Sequence, residues 1–269
     1  MYTEEIEFLC WLVPNRLAIL VTNDTNVSEI NSKKLVSSDL HQVKMALYGD
    51  FPPIDLGRIY KFCTLLSRHL QGGNQHVIYC VKNSMDYITN ACFLLGSFMV
   101  LNLGISPEVT ETKFQCISPY TRSFCDGMHS QNYLELPMKQ CISCLAKVQG
   151  LNWLDLTNFD MLTYELLGDI VNGNIHQISP KFIVFKGPNH LAMESGNKDM
   201  DLSPSFYAKK LRSLGVSCVV RLNEPGSYDK DEFERSGIRS YGSPSTCRSI
   251  LSPAVSASPF IPFDLAARI

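Results

Sequence analysis

The sequence predicts an α/β protein with helices layered on a central sheet, and three observations carry that reading. Short aliphatic runs bounded by turn residues alternate with stretches of helical periodicity. The run Val77-Ile78-Tyr79-Cys80 leads through a polar loop, 81–86, into a helix that is apolar almost all round and stops at Gly104. The alternation then restarts near residue 181.

Each element has a local reason. Arg16 to Thr22 is aliphatic and ends in a polar cluster, so it reads as a strand. Residues 26–53 are mixed and polar, closing in the turn-prone Gly49-Asp50-Phe51-Pro52-Pro53. Asp55 suits a helix N-cap, because its carboxylate can accept from a free amide of the first turn. Leu56, Ile59, Tyr60, Cys63, Leu66 and Leu70 then recur at helical spacing up to Gly72-Gly73. Ser106-Pro107-Glu108 starts a helix with proline at its first position, where no amide is needed. Pro137 opens another, whose inner face is expected to carry Cys141, Cys144, Leu145 and Val148 before Gly150. A connecting segment holds a short helix near Met161–Ile170 and a turn at Asn172-Gly173-Asn174. Lys181–Phe185 and Val216–Leu222 read as strands, with helices at Pro204–Leu214 and Asp229–Ser236. After Tyr241 serine, proline and alanine dominate, so 242–269 is expected to be a disordered tail.

Composition bounds the function. A net charge of −2 in 269 residues gives no case for nucleic acid or an anionic membrane surface. The apolar block Ala91–Leu103 is too short and too interrupted to span a bilayer. The apolar run Phe8–Val13 is too short for a signal core, so the ten cysteines are expected to be reduced and intracellular.

The strand, loop and helix from His76 to Gly104 has the form of an anion cradle, since a helix N-terminus offers free amides and partial positive charge. Cys80 stands where a thiolate nucleophile would stand. Six residues on, however, is Asp86, and a carboxylate there repels phosphate. Two other stretches have a bare Cys-x5-Arg spacing, Cys10…Arg16 and Cys116…Arg122. Neither has a glycine, and each contains a proline that removes an amide donor, so neither is expected to be catalytic. Cys141 and Cys144 form a lone Cys-x-x-Cys without a second ligand pair, so no metal or other cofactor is expected. Arg221 at a strand end is an alternative anion ligand, or a surface residue.

Several stretches together resemble the cell-division-cycle-fourteen family of dual-specificity protein phosphatases. They are YGDFPPIDLGRIYKFC (48–63), HVIYC to ISPE (76–108), SPYTRSFCD (118–126), WLDLTNFDMLTYE (153–165), NGN (172–174), SPKFIVFKGPNH (179–190) and SFYAKK to ERSGI (205–238). The resemblance implies a degenerate phosphatase-like domain at 1–150 and a helical linker at 151–177. It also implies the start of a catalytic-type domain at 178–241, and so a tandem arrangement with the second copy truncated. The degenerate loop is then that of Cys80 and Asp86. Family members hydrolyse phosphoserine/threonine-proline and phosphotyrosine through a cysteinyl-phosphate, held by a His-Cys-x5-Arg loop. No His in this chain is followed by Cys, and the expected general-acid loop is replaced by Gly242-Ser243-Pro244-Ser245-Thr246. The sequence therefore reads as a truncated or docking form with no catalytic residue of its own, or as part of an active enzyme whose catalytic residues lie elsewhere. In the family, acidic residues receive the basic residue that follows the target. Here Asp160 and Glu165, beside Tyr164, are the matching weak cation site, while Gly168 and Val171 stand where the family tends to be acidic. Partners implied by the family are phosphoproteins and cell-cycle regulators, in cytoplasm and nucleus. Residues 178–241 are too few to close a core, so they are expected either to pack on the first domain through the linker or to leave a sheet edge open, with poor solubility or self-association of the chain.

Overall fold

The first strand is one the sequence reading passed over. Phe8–Val13 (β1) turns back through Pro14-Asn15-Arg16 onto Leu17–Val21 (β2), forming an antiparallel hairpin. Asn15 takes a left-handed φ of 54° in that turn, a conformation asparagine tolerates. The computed structural model describes residues 8–23, 29–30, 33–36, 40, 51–71, 76–125, 135–188, 202–222, 228–241 and 263–267. The chain divides into two compact units, Met1–Phe159 and Asp160–Ile269, each with its own core.

In the first unit, Glu29–Ile30 (β3), Lys33–Val36 (β4) and Val77–Val81 (β5) complete a sheet of order β1-β2-β5-β4-β3. The central strand β5 runs parallel to both β2 and β4. Its Val77, Ile78 and Tyr79 are fully buried, as a strand covered on both faces must be.

Leu56–Leu70 (α1) begins as expected at Asp55, whose carboxylate accepts from the Arg58 amide at 3.0 Å. Its inner face buries Ile59, Phe62, Cys63 and Leu66, with Phe62 edge-on to Tyr79 at 5.1 Å. Met85–Leu101 (α2) is buried continuously from Ile88 to Leu101. Ser97 survives there by donating its hydroxyl to the Phe93 carbonyl at 2.7 Å. Pro107–Lys113 (α3) is capped by Ser106, which accepts from the Val109 amide. Met138–Gly150 (α4) crosses α2 at Gly96, where an added Cβ would meet Ile142 Cδ1 at 2.5 Å. The short ribbon Phe124–Cys125 (β6) and Glu135–Leu136 (β7) closes this unit. On α4 Cys141 and Ile142 are buried and Leu145 and Val148 pack half-buried against the core as expected, whereas Cys144 faces solvent, contrary to its expected place on the inner face. Ile142 fills the notch at Gly96.

The second unit carries Met161–Gly168 (α5) and a hairpin of Ile175–Gln177 (β8) with Phe182–Lys186 (β9). Its boundary and β8 both fall inside the stretch read as a linker. Pro204–Ser213 (α6), capped by Ser203, buries Tyr207, Ala208 and Leu211. The Tyr207 hydroxyl donates to the Gly173 carbonyl at 2.9 Å, where Gly173 has a φ of 99°. Cys218–Val220 (β10), Asp231–Arg235 (α7) and Arg239–Tyr241 (β11) follow, with Phe233 buried. The expectation for the tail needs correction. Residues 242–262 lie outside the described residues, but Phe263–Ala267 is a strand (β12) seated between β9 and β10. The composition is Ser/Pro-rich only up to this point, and FDLAA has neither proline nor glycine to bar it from a ladder. Among the described residues, no helix is long and apolar enough to cross a membrane.

Candidate functional site

The corner between β5 and α2 is where the sequence reading put its anion cradle. β5 ends on Val81, and Lys82-Asn83-Ser84 carry the chain into α2 with no side-chain cap from Ser84. Asp86 sits in the first turn, where the helix dipole favours a carboxylate. Its Oδ1 accepts from Arg122 Nε at 2.5 Å, and both side chains are more than two-thirds buried.

Arg122 is held from three sides. Its guanidinium lies 4.0 Å from the centre of the Phe51 ring, a cation–π arrangement. Its amide donates to Thr89 Oγ1 at 3.0 Å, and that hydroxyl donates in turn to the Met85 carbonyl at 2.8 Å. Beneath it, Phe51 stacks on Phe124 at 5.2 Å, and Phe124 meets the edge of Phe93 at 5.3 Å. Phe51 and Cys125 exchange two backbone hydrogen bonds, which fix the platform. The positive end of α2 is therefore already occupied by the chain's own carboxylate, and that charge is already neutralised by the chain's own arginine.

The Cys80 thiol is half-buried, and burial pushes its pKa up from the ordinary thiol value. Burial is the cause of that shift, so its nucleophilic form is disfavoured at neutral pH. Cys10 and Cys116, the other two spacing candidates, are joined in a disulfide across a sequence separation of 106. Neither is a free thiol, which corrects the expectation that all ten cysteines are reduced. The bond was not legible because it joins β1 to the turn after α3, which only the tertiary fold brings together.

The remaining candidates have structural employment. Asp160 caps α5 by accepting from the Thr163 amide at 3.0 Å, and contacts with Thr163 hold its pKa below the usual carboxylate value. Glu165 follows one turn later on the same helix. Tyr164 instead packs its ring on His176 at 5.4 Å. Gly168 admits that same imidazole, which a Cβ there would meet at 2.9 Å. Arg221 donates to the Tyr228 carbonyl at 3.3 Å and lies over its ring. Cys141 is buried and its pKa is pushed up to about 11, while Cys144 is exposed, so the two do not converge as a ligand pair. Among the described residues, no group of three or more His, Cys, Asp or Glu stands together as a metal site would require.

The thiols make alkaline pH the sensitive direction. Burial raises Cys63 to about 12, and raises Cys92 and Cys80 as well. The unfolded chain, with thiols near 8.5, loses these protons first. Their contribution to stability is thus complete below about pH 8.5 and is lost as pH rises toward 12. Urea midpoints are expected to be level from pH 7 to 8 and to fall by pH 10.

Comparison with known proteins follows the same geometry. The family model described as dual specificity protein phosphatase, N-terminal half, matches residues 11–148. The dual specificity protein phosphatase CDC14C of Homo sapiens is 26% identical over 232 residues, covering 83% of this chain and 50% of that protein. The dual specificity protein phosphatase CDC14A of Homo sapiens is 24% identical over 237 residues, covering 86% and 39%. The tyrosine-protein phosphatase CDC14 of Candida albicans is 27% identical over 198 residues, covering 72% and 35%. The chain spans half or less of the length of each of these relatives. The match holds β2, β5, α2 and the Arg122 platform within one span, and the chain belongs to the dual specificity protein phosphatase family.

Proposed function

We propose that these 269 residues serve a phosphatase of this family as a docking part, and that the β5–α2 corner does no chemistry itself. The observation that supports this reading is the Asp86–Arg122 pair. A phosphate approaching the α2 N-terminus would meet a carboxylate, and the nearest arginine would have to abandon that carboxylate to bind it. The Cys80 thiol, raised by burial, adds no nucleophile at neutral pH. The sequence also holds no His-Cys pair from which another phosphate loop could be built.

The docking role would fall to α5. Glu165, with Asp160 at the helix start, offers negative charge to a basic residue following a phosphoserine-proline target. Phosphoproteins, cell-cycle regulators among them, are the partner class this reading names. Replacing Asp160 would also remove the α5 cap, so Glu165→Gln is the variant to use. An exposed ion pair of this kind contributes about 0.5–1 kcal/mol, or roughly a twofold to fivefold change in affinity. Calorimetric titration with a phosphoserine-proline-lysine peptide is expected to show that weakening. Equal affinity for both proteins would remove Glu165 from the docking role.

A second reading is favoured by the coverage of the relatives. They extend well beyond the part this chain matches. On that reading, hydrolysis of phosphoserine and phosphotyrosine belongs to residues outside these 269, and the present chain supplies the scaffold beside them.

A further inference from the structure

The two sheets of this chain can be compared strand for strand. In the first, an antiparallel hairpin, β1-β2, is followed across the sheet by β5 and then β4. In the second, an antiparallel hairpin, β8-β9, is followed by β12 and then β10. β2 and β4 run parallel to one another across the slot that β5 fills. β9 and β10 likewise run parallel to one another across the slot that β12 fills. The extents of pairing match as well. β5 pairs along its length with β2 and over Val77–Tyr79 with β4. β12 pairs along its length with β9 and over Leu265–Ala267 with β10.

Two differences give this correspondence its content. β5 is parallel to both neighbours, whereas β12 is antiparallel to both. β5 also arrives from the helix just before it, whereas β12 arrives from the far end of the chain, beyond β11. The second sheet thus takes its central strand from a segment that its own local sequence, residues 175–241, does not contain.

We propose that Phe263–Ala267 is a self-complementing strand, and that the groove between β9 and β10 is a strand-binding site whose occupant is this segment of the same chain. Without it, β9 and β10 would each present an unpaired ladder edge in the middle of a buried layer. Ile183, Phe185 and Val219 sit there at 1% exposure or less. Such an edge is a template for pairing with another chain. The sequence reading stopped at Tyr241, left this edge open, and for that reason expected self-association. With β12 seated, that edge is closed, and the full chain is expected to be monomeric.

Amide exchange on the full chain tests this directly. The amides of Leu265 and Ala266 are expected to be protected to the same degree as those of Val184 and Val219, because all belong to one ladder. Leu265→Pro, which places a proline in a central strand, is expected to remove that protection and to convert a monodisperse monomer into self-associated material. A synthetic peptide of residues 260–269, added to Leu265→Pro, is expected to restore protection at Val184 and Val219. Leu265→Val, which keeps the amide and a strand-forming side chain, is expected to behave as the parent. Open-chain exchange at Leu265 and Ala266 in the parent protein, with β9 and β10 still protected, would overturn the proposal without any variant having to fold. So would a monomeric Leu265→Pro protein with undiminished protection at Val184 and Val219.

Discussion

Phe93→Ala is expected to destabilise the first unit by about 3–5 kcal/mol, the usual cost of emptying a buried phenylalanine site. Phe93 is 2% exposed and lies midway along α2, the helix around which α1, α3 and α4 pack. Its neighbours are rigid, so the space cannot collapse cheaply: Phe124 meets it edge to face, and Phe51 stacks behind Phe124. The effect should also be felt at the corner, because Phe51 is the ring under Arg122. Urea denaturation followed by tryptophan fluorescence reads the loss. The Trp11 ring lies edge-on to His76 in the first unit and provides a signal there. A change below about 1 kcal/mol would mean that α2 is not the packed centre described above.

Arg122→Ala is expected to cost about 1–3 kcal/mol. That figure lies between the value of exposed ion pairs and the penalty for breaking a fully buried one. Here the pair is about a quarter exposed: 31% at Arg122 and 23% at Asp86. Asp86 left alone keeps the favourable field of the α2 N-terminus, which limits the loss. The cation–π contact over Phe51 is lost at the same time, at about 0.5–1 kcal/mol. A double-mutant cycle with Asp86→Asn isolates the pair, and a coupling of at least about 0.5 kcal/mol is expected. Additive single effects would show that the two groups are neighbours without being partners. Arg122→Lys should recover only part of the loss, since an ammonium has neither the planar fork nor the flat face that Phe51 receives.

The contrast between these two residues shows what could be read from the sequence. Phe93 was legible as core: a helix apolar almost all round between Asp86 and Gly104 has nowhere to go but inside. Asp55, Ser106-Pro107 and Pro204 were legible as helix starts, because capping is decided within one turn of chain. The Asp86–Arg122 pair was not. Its members are 36 residues apart, one on a helix and one in a loop, and no local pattern links them. Asp86 had been read as a group that repels phosphate, and Arg122 as one end of an accidental Cys-x5-Arg spacing. Each was weighed alone, although the arrangement lies in their meeting. Cys10 and Cys116 escaped for the same reason. β12 escaped for another. A five-residue strand following a Ser/Pro-rich stretch has no periodicity to announce it, and its existence depends on two edges made elsewhere. β1 lay in an apolar run judged only for its length as a targeting segment.

Both predictions and the docking proposal rest on one claim: the β5–α2 corner is filled from within and holds structure instead of substrate. Turnover of p-nitrophenyl phosphate at neutral pH, compared between the parent chain and Cys80→Ser, tests it most directly. The account predicts that both proteins release nitrophenol at the rate of buffer alone. Turnover above buffer that disappears in Cys80→Ser would contradict it, because it would place a working thiolate where a raised thiol and an internal ion pair have been described.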